Sequence, residues 1–310
     1  MKRNCRTFRS GTLIIQEAVG LLGDAWQKMM SVVTRNANKG ENMQSNAKRK
    51  EIEWVEHCFE DVPDFLRQVV GYPRRSWIYR GQADAAWTLI PKAGREGYTN
   101  LVWEHVEVSD GKLPWDLVRF EGWWRRAAAF SRAIHEEDSV LERLAYAQHY
   151  GLATRLLDWS TNPLVALYFA SETKLLHDGA VFCYHWEHSM SDYKCDSFEA
   201  LLAIPDVFAY EACPVDRRLL AQGAVFTFHP NPEVPLVPGP ASSESQAKYL
   251  PDGVNLVRFR VPSCAKQHII EQLCGIEIHR MSLFPDLDGL SHFHNWETRT
   301  IADMENGLIQ

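Results

Sequence analysis

Residues 141–170 read LERLAYAQHYGLATRLLDWSTNPLVALYFA, and in this stretch residue type alone separates a helix, a strand, a turn and a second helix. Leu141, Leu144, Ala145 and Gln148 recur at helical spacing, and Gly151 stands where a C-terminal cap redirects the chain. Thr154–Trp159 follows as a short apolar strand. Ser160-Thr161-Asn162-Pro163 then has the form of a helix start, with side-chain oxygens able to accept from free amides and a proline preset for the first turn. The second helix is predicted from Leu164 to about Leu176. Gln148, His149, Thr154, Arg155, Asp158, Ser160, Thr161 and Asn162 bring more hydrogen-bonding groups here than packing requires. A strand-to-helix turn with free N–H groups favours an anionic ligand such as phosphate. The structural alternative is that Arg155 and Asp158 form an ion pair and that Ser-Thr-Asn-Pro is only a cap.

Outward from this centre, Trp77–Arg80 is a strand of aromatic and β-branched residues running into Arg80-Gly81-Gln82. Arginine followed by glycine at a strand end lets guanidinium and backbone approach a ligand together. The competing reading is a buried arginine paired with Asp158 or Glu142. Lys48–Val70 has a helical pattern with Asp61-Val62-Pro63 starting the second of two short helices. Trp103–His135 is expected to be helical, its Phe120, Trp123, Trp124, Ala127 and Phe130 facing the core. Ala180–Trp186, Val225–His229 and Asn255–Val261 are strands. Asp216–Gln222 and Ala265–Cys274 are helices, 231–248 is a proline- and serine-rich loop, and Phe284–Gly289 is a terminal turn. The fold class that follows is α+β, a mixed and mainly antiparallel sheet with flanking helices and no internal repeat.

Composition bounds the function. The net charge of −7 divides into +7 on residues 1–50 and −14 on the remaining 260. The acidic balance argues against general nucleic-acid binding, although Arg119, Arg125, Arg126 and Arg132 interleave with aromatics. No apolar run reaches membrane-spanning length, so no membrane association is expected. Seven cysteines without C-x-x-C spacing point to reduced thiols and a cytoplasmic protein. His185-x-x-His188 and His292-x-His294 lack a third ligand at metal spacing, so no metal is expected. The dinucleotide glycine fingerprint, the P-loop and the nucleophile elbow are absent. Residues 1–42 are expected to be a non-native or disordered basic extension. Asn38–Met43 is compatible with a ribosome-binding sequence ahead of a start at Met43, leaving 43–310 as one domain.

Four blocks carry a resemblance: WIYRGQADAAWTLIPKAGR (Trp77–Arg95), LAYAQHYGLATRLLDWSTNPLVALYFA (Leu144–Ala170), LLAQGAVFTFHP (Leu219–Pro230) and GIEIHRMSLFPDLDGL (Gly275–Leu290). In this order they resemble the FRG domain family, whose name-giving motif stands here as Tyr79-Arg80-Gly81. The family is widespread in bacteria and phages. A second resemblance is to ADP-ribosyltransferases of the arginine–serine–glutamate class, which bind NAD in a split antiparallel sheet.

That second resemblance implies that Arg80 holds an NAD phosphate, that Ser160 and Thr161 brace the nicotinamide ribose, and that Gln148 and His149 line the pocket. Gly81, Gln82, Arg155, Asp158 and Asn162 complete the expected binding set. The class's catalytic glutamate has Gln222 at its place, with Glu142 as the nearest alternative acid. The implied function is nucleotide binding, with NAD as cofactor and ADP-ribosyl transfer or NAD cleavage in a toxin or phage-defence role. The alternative is a non-catalytic sensory or protein-binding domain that uses the same cleft.

Overall fold

The computed structural model describes residues 54–305 except 74–75, 100–105, 109–110, 128, 131–138, 187–196, 212–215 and 241–249. The basic segment 1–42 lies outside the described residues. The sheet is built from β1 (Glu56–Cys58), β2 (Trp77–Gln82), β5 (Leu156–Ser160), β6 (Gly179–His185), β7 (Phe208–Tyr210), β8 (Ala224–Phe228) and β9 (Leu256–Val261). A separate hairpin pairs β3 (Val106–Val108) with β4 (Gly111–Leu113). The seven strands run in the order β1-β9-β6-β2-β5-β8-β7. Only β1 and β9 are parallel; every other neighbouring pair is antiparallel. The expected α+β class with a mixed, mainly antiparallel sheet is what the chain adopts.

The ladder is uneven. Six residue pairs join β2 to β6 and five join β5 to β8, but β2 and β5 share the single pair Tyr79↔Ser160. The sheet is therefore split between the two strands that carry Arg80 and Asp158.

Helices flank it: α1 (Val62–Val69), α2 (Trp115–Ala127), α3 (Val140–His149), α4 (Pro163–Ser171), α5 (Phe198–Leu202), α6 (Arg217–Ala221), α7 (Lys266–Cys274), α8 (Arg280–Leu283) and α9 (Leu287–Glu305). The central stretch folds as its residue types predict. Ser139 and Glu142 close a capping box on α3. At its other end Gly151 N–H donates to the Gln148 carbonyl and Leu152 N–H to that of Ala147, with Gly151 at φ +88°, a Schellman cap. Asn162 caps α4 by accepting from Leu164 N–H at 3.0 Å.

α4 is apolar almost all round because it is packed almost all round, with Val165, Leu167 and Ala170 fully buried. It lies directly on strand backbone. A Cβ at Gly81 would overlap the Ala166 carbonyl oxygen, and one at Gly179 would overlap that of Ala170. The core on this face joins Phe65, Trp77, Val181, Phe259 and Leu273 to α4, and a second core joins α2 and α3 to Leu156, Phe226 and Phe228.

Four expectations need correction. The first of the two helices expected in Lys48–Val70 is strand β1 where it is described; Glu56–Cys58 pairs with Arg258–Arg260, and His57 stacks on Phe259 at 4.8 Å. The helix after Pro163 ends at Ser171 rather than near Leu176. The buried Lys266 ammonium takes the carbonyls of Thr173 and Lys174, together with that of Ala83, and Lys174 sits at φ 53°. The long helix expected over 103–135 is described only as α2, preceded by the hairpin, and Phe130 is exposed rather than core-facing. Phe284–Gly289 is no terminal turn: Asp286 accepts from Gly289 N–H at 2.7 Å and opens the 19-residue α9. No helix among the described residues is long and apolar enough to cross a membrane.

Candidate functional site

A cleft of about 970 Å³ occupies the split and reaches into the turn after β2, at the upper end of the range for small-molecule sites. It is lined by seven of the predicted binding residues: Arg80, Gly81 and Gln82 on β2, Gln148 and His149 at the end of α3, and Asp158 and Ser160 on β5. Gln222, at the end of α6, lines it as well.

Side chains alternate across a strand, so Arg80 and Gln82 share one face of β2. The Tyr79↔Ser160 pair puts Ser160, and with it Asp158, on the opposite face. The Arg80 guanidinium reaches across the open ladder and donates from Nη1 to the Asp158 backbone carbonyl at 2.6 Å, while the Asp158 carboxylate stands 3.8 Å away. Arg80 Nε is buried and has no hydrogen-bond partner among the described residues. Burial pulls the guanidinium down to about 10, with Asp158 raising it and Arg95 lowering it further, so it remains a cation at neutral pH. Gln82 is buried; among the described residues its Oε1 has no partner, and Nε2 makes only a long 3.5 Å bond to the Thr88 carbonyl.

Asp158 is the one exposed residue of β5. Gln148 Nε2 donates to its Oδ1 at 2.7 Å, and the Thr154 hydroxyl donates to Gln148 Oε1. His149 faces Asp216 at 3.5 Å, and burial holds its imidazole below the usual histidine range despite that carboxylate.

Several expected roles do not survive the geometry. Arg155 does not line the cleft and does not pair with Asp158. Asp116 grips it in a two-bond fork at 2.8 and 2.6 Å, Pro230 takes Nη1 at 2.8 Å, and the side chain is 1% exposed. Glu142 does not line the cleft, because its carboxylate closes the Ser139 cap. Thr161 and Asn162 also lie off the lining: Thr161 N–H donates to the Gly223 carbonyl, and the Asn162 side chain is spent on the α4 cap. Ser160 lines the cleft, but its hydroxyl donates to the Gln222 carbonyl at 2.6 Å and accepts from Asn162 N–H. The Gln222 side chain donates to the Leu283 carbonyl at 3.1 Å. Gly81, also on the lining, lets α4 lie against β2, where a Cβ would overlap the Ala166 carbonyl oxygen.

Conversely, Trp87, Lys92, Arg95 and Arg218 line the cleft and were not singled out. Trp87 is half-exposed in the turn after β2. The legible signal was local: two cations in Lys92-Ala93-Gly94-Arg95, immediately after a proline and downstream of Arg80. Counting Arg80, the lining holds four Lys/Arg against the carboxylates of Glu96 and Asp158.

No curated protein and no solved structure matches the chain. Residues 75–179 match the family model described as FRG domain, spanning the Arg80 strand, α3, β5 and α4. The later blocks Leu219–Pro230 and Gly275–Leu290 fall outside that match. Residues 75–179 thus carry an FRG domain.

Proposed function

We propose that the cleft binds a dinucleotide of the NAD class. The observation that carries this reading is Arg80, a largely covered cation standing in a gap of the sheet, whose buried Nε–H has no partner among the described residues. A phosphate oxygen satisfies such a donor through a charge-assisted hydrogen bond. Arg95, Lys92 and Arg218 add positive potential along the same cleft, enough for a ligand with two linked phosphates. Trp87 offers an indole face on which a planar base can stack. Gln82 Oε1, an unpaired acceptor, suits an exocyclic amine or carboxamide. The volume accommodates a ligand longer than a mononucleotide.

The toxin or phage-defence role implied by the ADP-ribosyltransferase resemblance belongs to the same reading, since cleaving NAD or modifying an acceptor follows from holding it. A non-catalytic sensory domain is the second reading. It is favoured by one specific observation: the two groups expected to act in catalysis, Gln222 and Glu142, are both tied to the scaffold.

The test is a thermal melt of the full chain with NAD, ADP-ribose and ATP, followed by calorimetric titration. NAD and ADP-ribose should raise the melting temperature, by an amount equivalent to about 2.7 kcal/mol at a hundredfold excess over Kd. Absence of binding by both would overturn the proposal.

A further inference from the structure

We infer that Asp158 is the catalytic carboxylate of the cleft, and that the domain cleaves the N-glycosidic bond between nicotinamide and ribose. This rests on the dinucleotide reading above and assigns the chemistry within it. Three observations single out Asp158.

It is 61% exposed on a strand whose other four residues are buried, so the side chain is turned into the cleft where an apolar residue would extend the core. Its orientation is fixed by a relay of hydrogen bonds: the Thr154 hydroxyl accepts from Leu156 N–H at 3.2 Å and donates to Gln148 Oε1. With that oxygen committed, the Gln148 amide can present only N–H to Asp158 Oδ1, at 2.7 Å. A surface carboxylate with two residues devoted to aiming it is pre-organised in the way that reacting groups require. Finally, its Oδ2 takes no short hydrogen bond among the described residues. Arg80, at 3.8 Å, spends its short hydrogen bond on the Asp158 backbone carbonyl instead.

The charge layout names the substrate. Arginines and a lysine collect phosphate, and the Asp158 carboxylate, one of two on the lining with Glu96, is the one whose charge both Arg80 and Arg218 feel. The complement is a ligand with negative phosphates and one positive centre, which is the oxidised nicotinamide dinucleotide with its pyridinium. As the bond between ribose C1′ and the ring nitrogen breaks, the bonding pair leaves with neutral nicotinamide and positive charge develops at C1′. A carboxylate stabilises that charge where the Gln222 amide would not. Water oxygen bonds to C1′, its proton passes to Asp158 Oδ2 and then to solvent, and the products are ADP-ribose and nicotinamide. Gln148 is a positioning residue.

The experiment measures nicotinamide release from NAD by the full-length protein, with ADP-ribose binding by calorimetry as an independent readout. Asp158→Asn should bind ADP-ribose within about threefold of wild type and release nicotinamide about 100-fold or more slowly. Asp158→Glu should recover part of the rate. Gln148→Ala should lower kcat with KM little changed and move the acid limb of the pH profile, a change that a purely structural role would not produce. Asp158→Asn with wild-type turnover overturns the assignment and leaves the dinucleotide reading standing. So does a wild-type protein that binds ADP-ribose but releases no nicotinamide at any pH. Failure of wild type to bind either NAD or ADP-ribose removes both.

Discussion

Two arginines, 75 positions apart in sequence and on opposite sides of the split, divide the molecule into what is built to stand and what is built to bind. Arg155 enters β5 from the Thr154 turn, and its forked pairing with Asp116 and bond to Pro230 account for Nε, Nη1 and Nη2. Arg80 ends the first half of the sheet with one short bond to a carbonyl, a carboxylate held off at 3.8 Å, and a buried Nε with nothing to donate to. Both guanidinium groups are largely covered, the Arg155 side chain at 1% exposure and the Arg80 side chain at 14%. What separates them is whether the hydrogen-bonding capacity is used up, because a buried charge is tolerated only when it is paired, and an incomplete set invites a ligand to complete it.

The comparison breaks most sharply if Arg155 is removed. Asp116→Ala leaves a buried guanidinium without its counter-charge, and Arg155→Ala leaves the carboxylate; either should cost about 3–5 kcal/mol in urea titration. A loss below about 1 kcal/mol in both variants would mean that the pair is not part of the scaffold, and the distinction between the two arginines would fail. Next in size is the helix on which the Arg80 strand rests. Leu167 is fully buried on α4, so Leu167→Ala should destabilise by about 2–5 kcal/mol. An unfolding midpoint unchanged at constant slope would place that helix face outside the core.

Smaller in energy but more telling is Arg80→Lys. Lysine keeps the charge and loses the planar fork, so affinity for ADP-ribose should fall by about 1.5–3 kcal/mol while the melting temperature of the free protein stays near wild type. An early melt with the ligand-induced shift preserved would put Arg80 in the same class as Arg155.

Much of the scaffold around the split was legible because it is written in local chemistry. Gly151, the Asn162 cap and Pro163 each act within one turn of their own position, and the α3–β5–α4 order follows from them. Within the binding set, legibility depended on whether a partner was near in sequence. Gln148, Asp158 and Arg80 could be placed together because the resemblance supplied the long-range pairing. Arg155 could not be assigned, because Asp116 is 39 residues away and its i,i+3 neighbour Asp158 looked like the natural partner. Glu142 and Ser160 misled for the opposite reason: their structural duties, a capping box and a bond to the Gln222 carbonyl, leave the same residue types in the same places as a catalytic role would. Glu56–Cys58 lie in a stretch of helical apolar spacing yet form strand, since three residues at a sheet edge take their conformation from the Leu256–Val261 strand they pair with.

The smallest effect joins the two arginines through a third residue. His229 is fully buried, donates its backbone N–H to the Arg155 carbonyl, and shares Nε2 with the Thr227 hydroxyl at 3.1 Å. Its imidazole is pushed down to about 3, first by burial and then by the charges of Arg80 and Arg155. The folded value lies below the unfolded one, about 6.5, so the unfolded state takes up the proton first. Stability is therefore complete above about pH 6.5 and is lost as pH falls through the window down to about 3. One unit into that window, near pH 5.5, the loss from this residue should be about 1.4 kcal/mol. The difference between wild type and His229→Gln in urea titrations across pH isolates it from the other histidines.

Arg80→Gln sharpens the comparison further. Removing that positive charge should raise the folded pKa of His229 and shrink the acid loss, whereas the same test at Arg155 would be confounded by the loss of its buried pair with Asp116. An Arg80→Gln profile superimposable on wild type would show that the field of Arg80 does not reach His229, and the two arginines would then be electrostatically independent as well as differently paired.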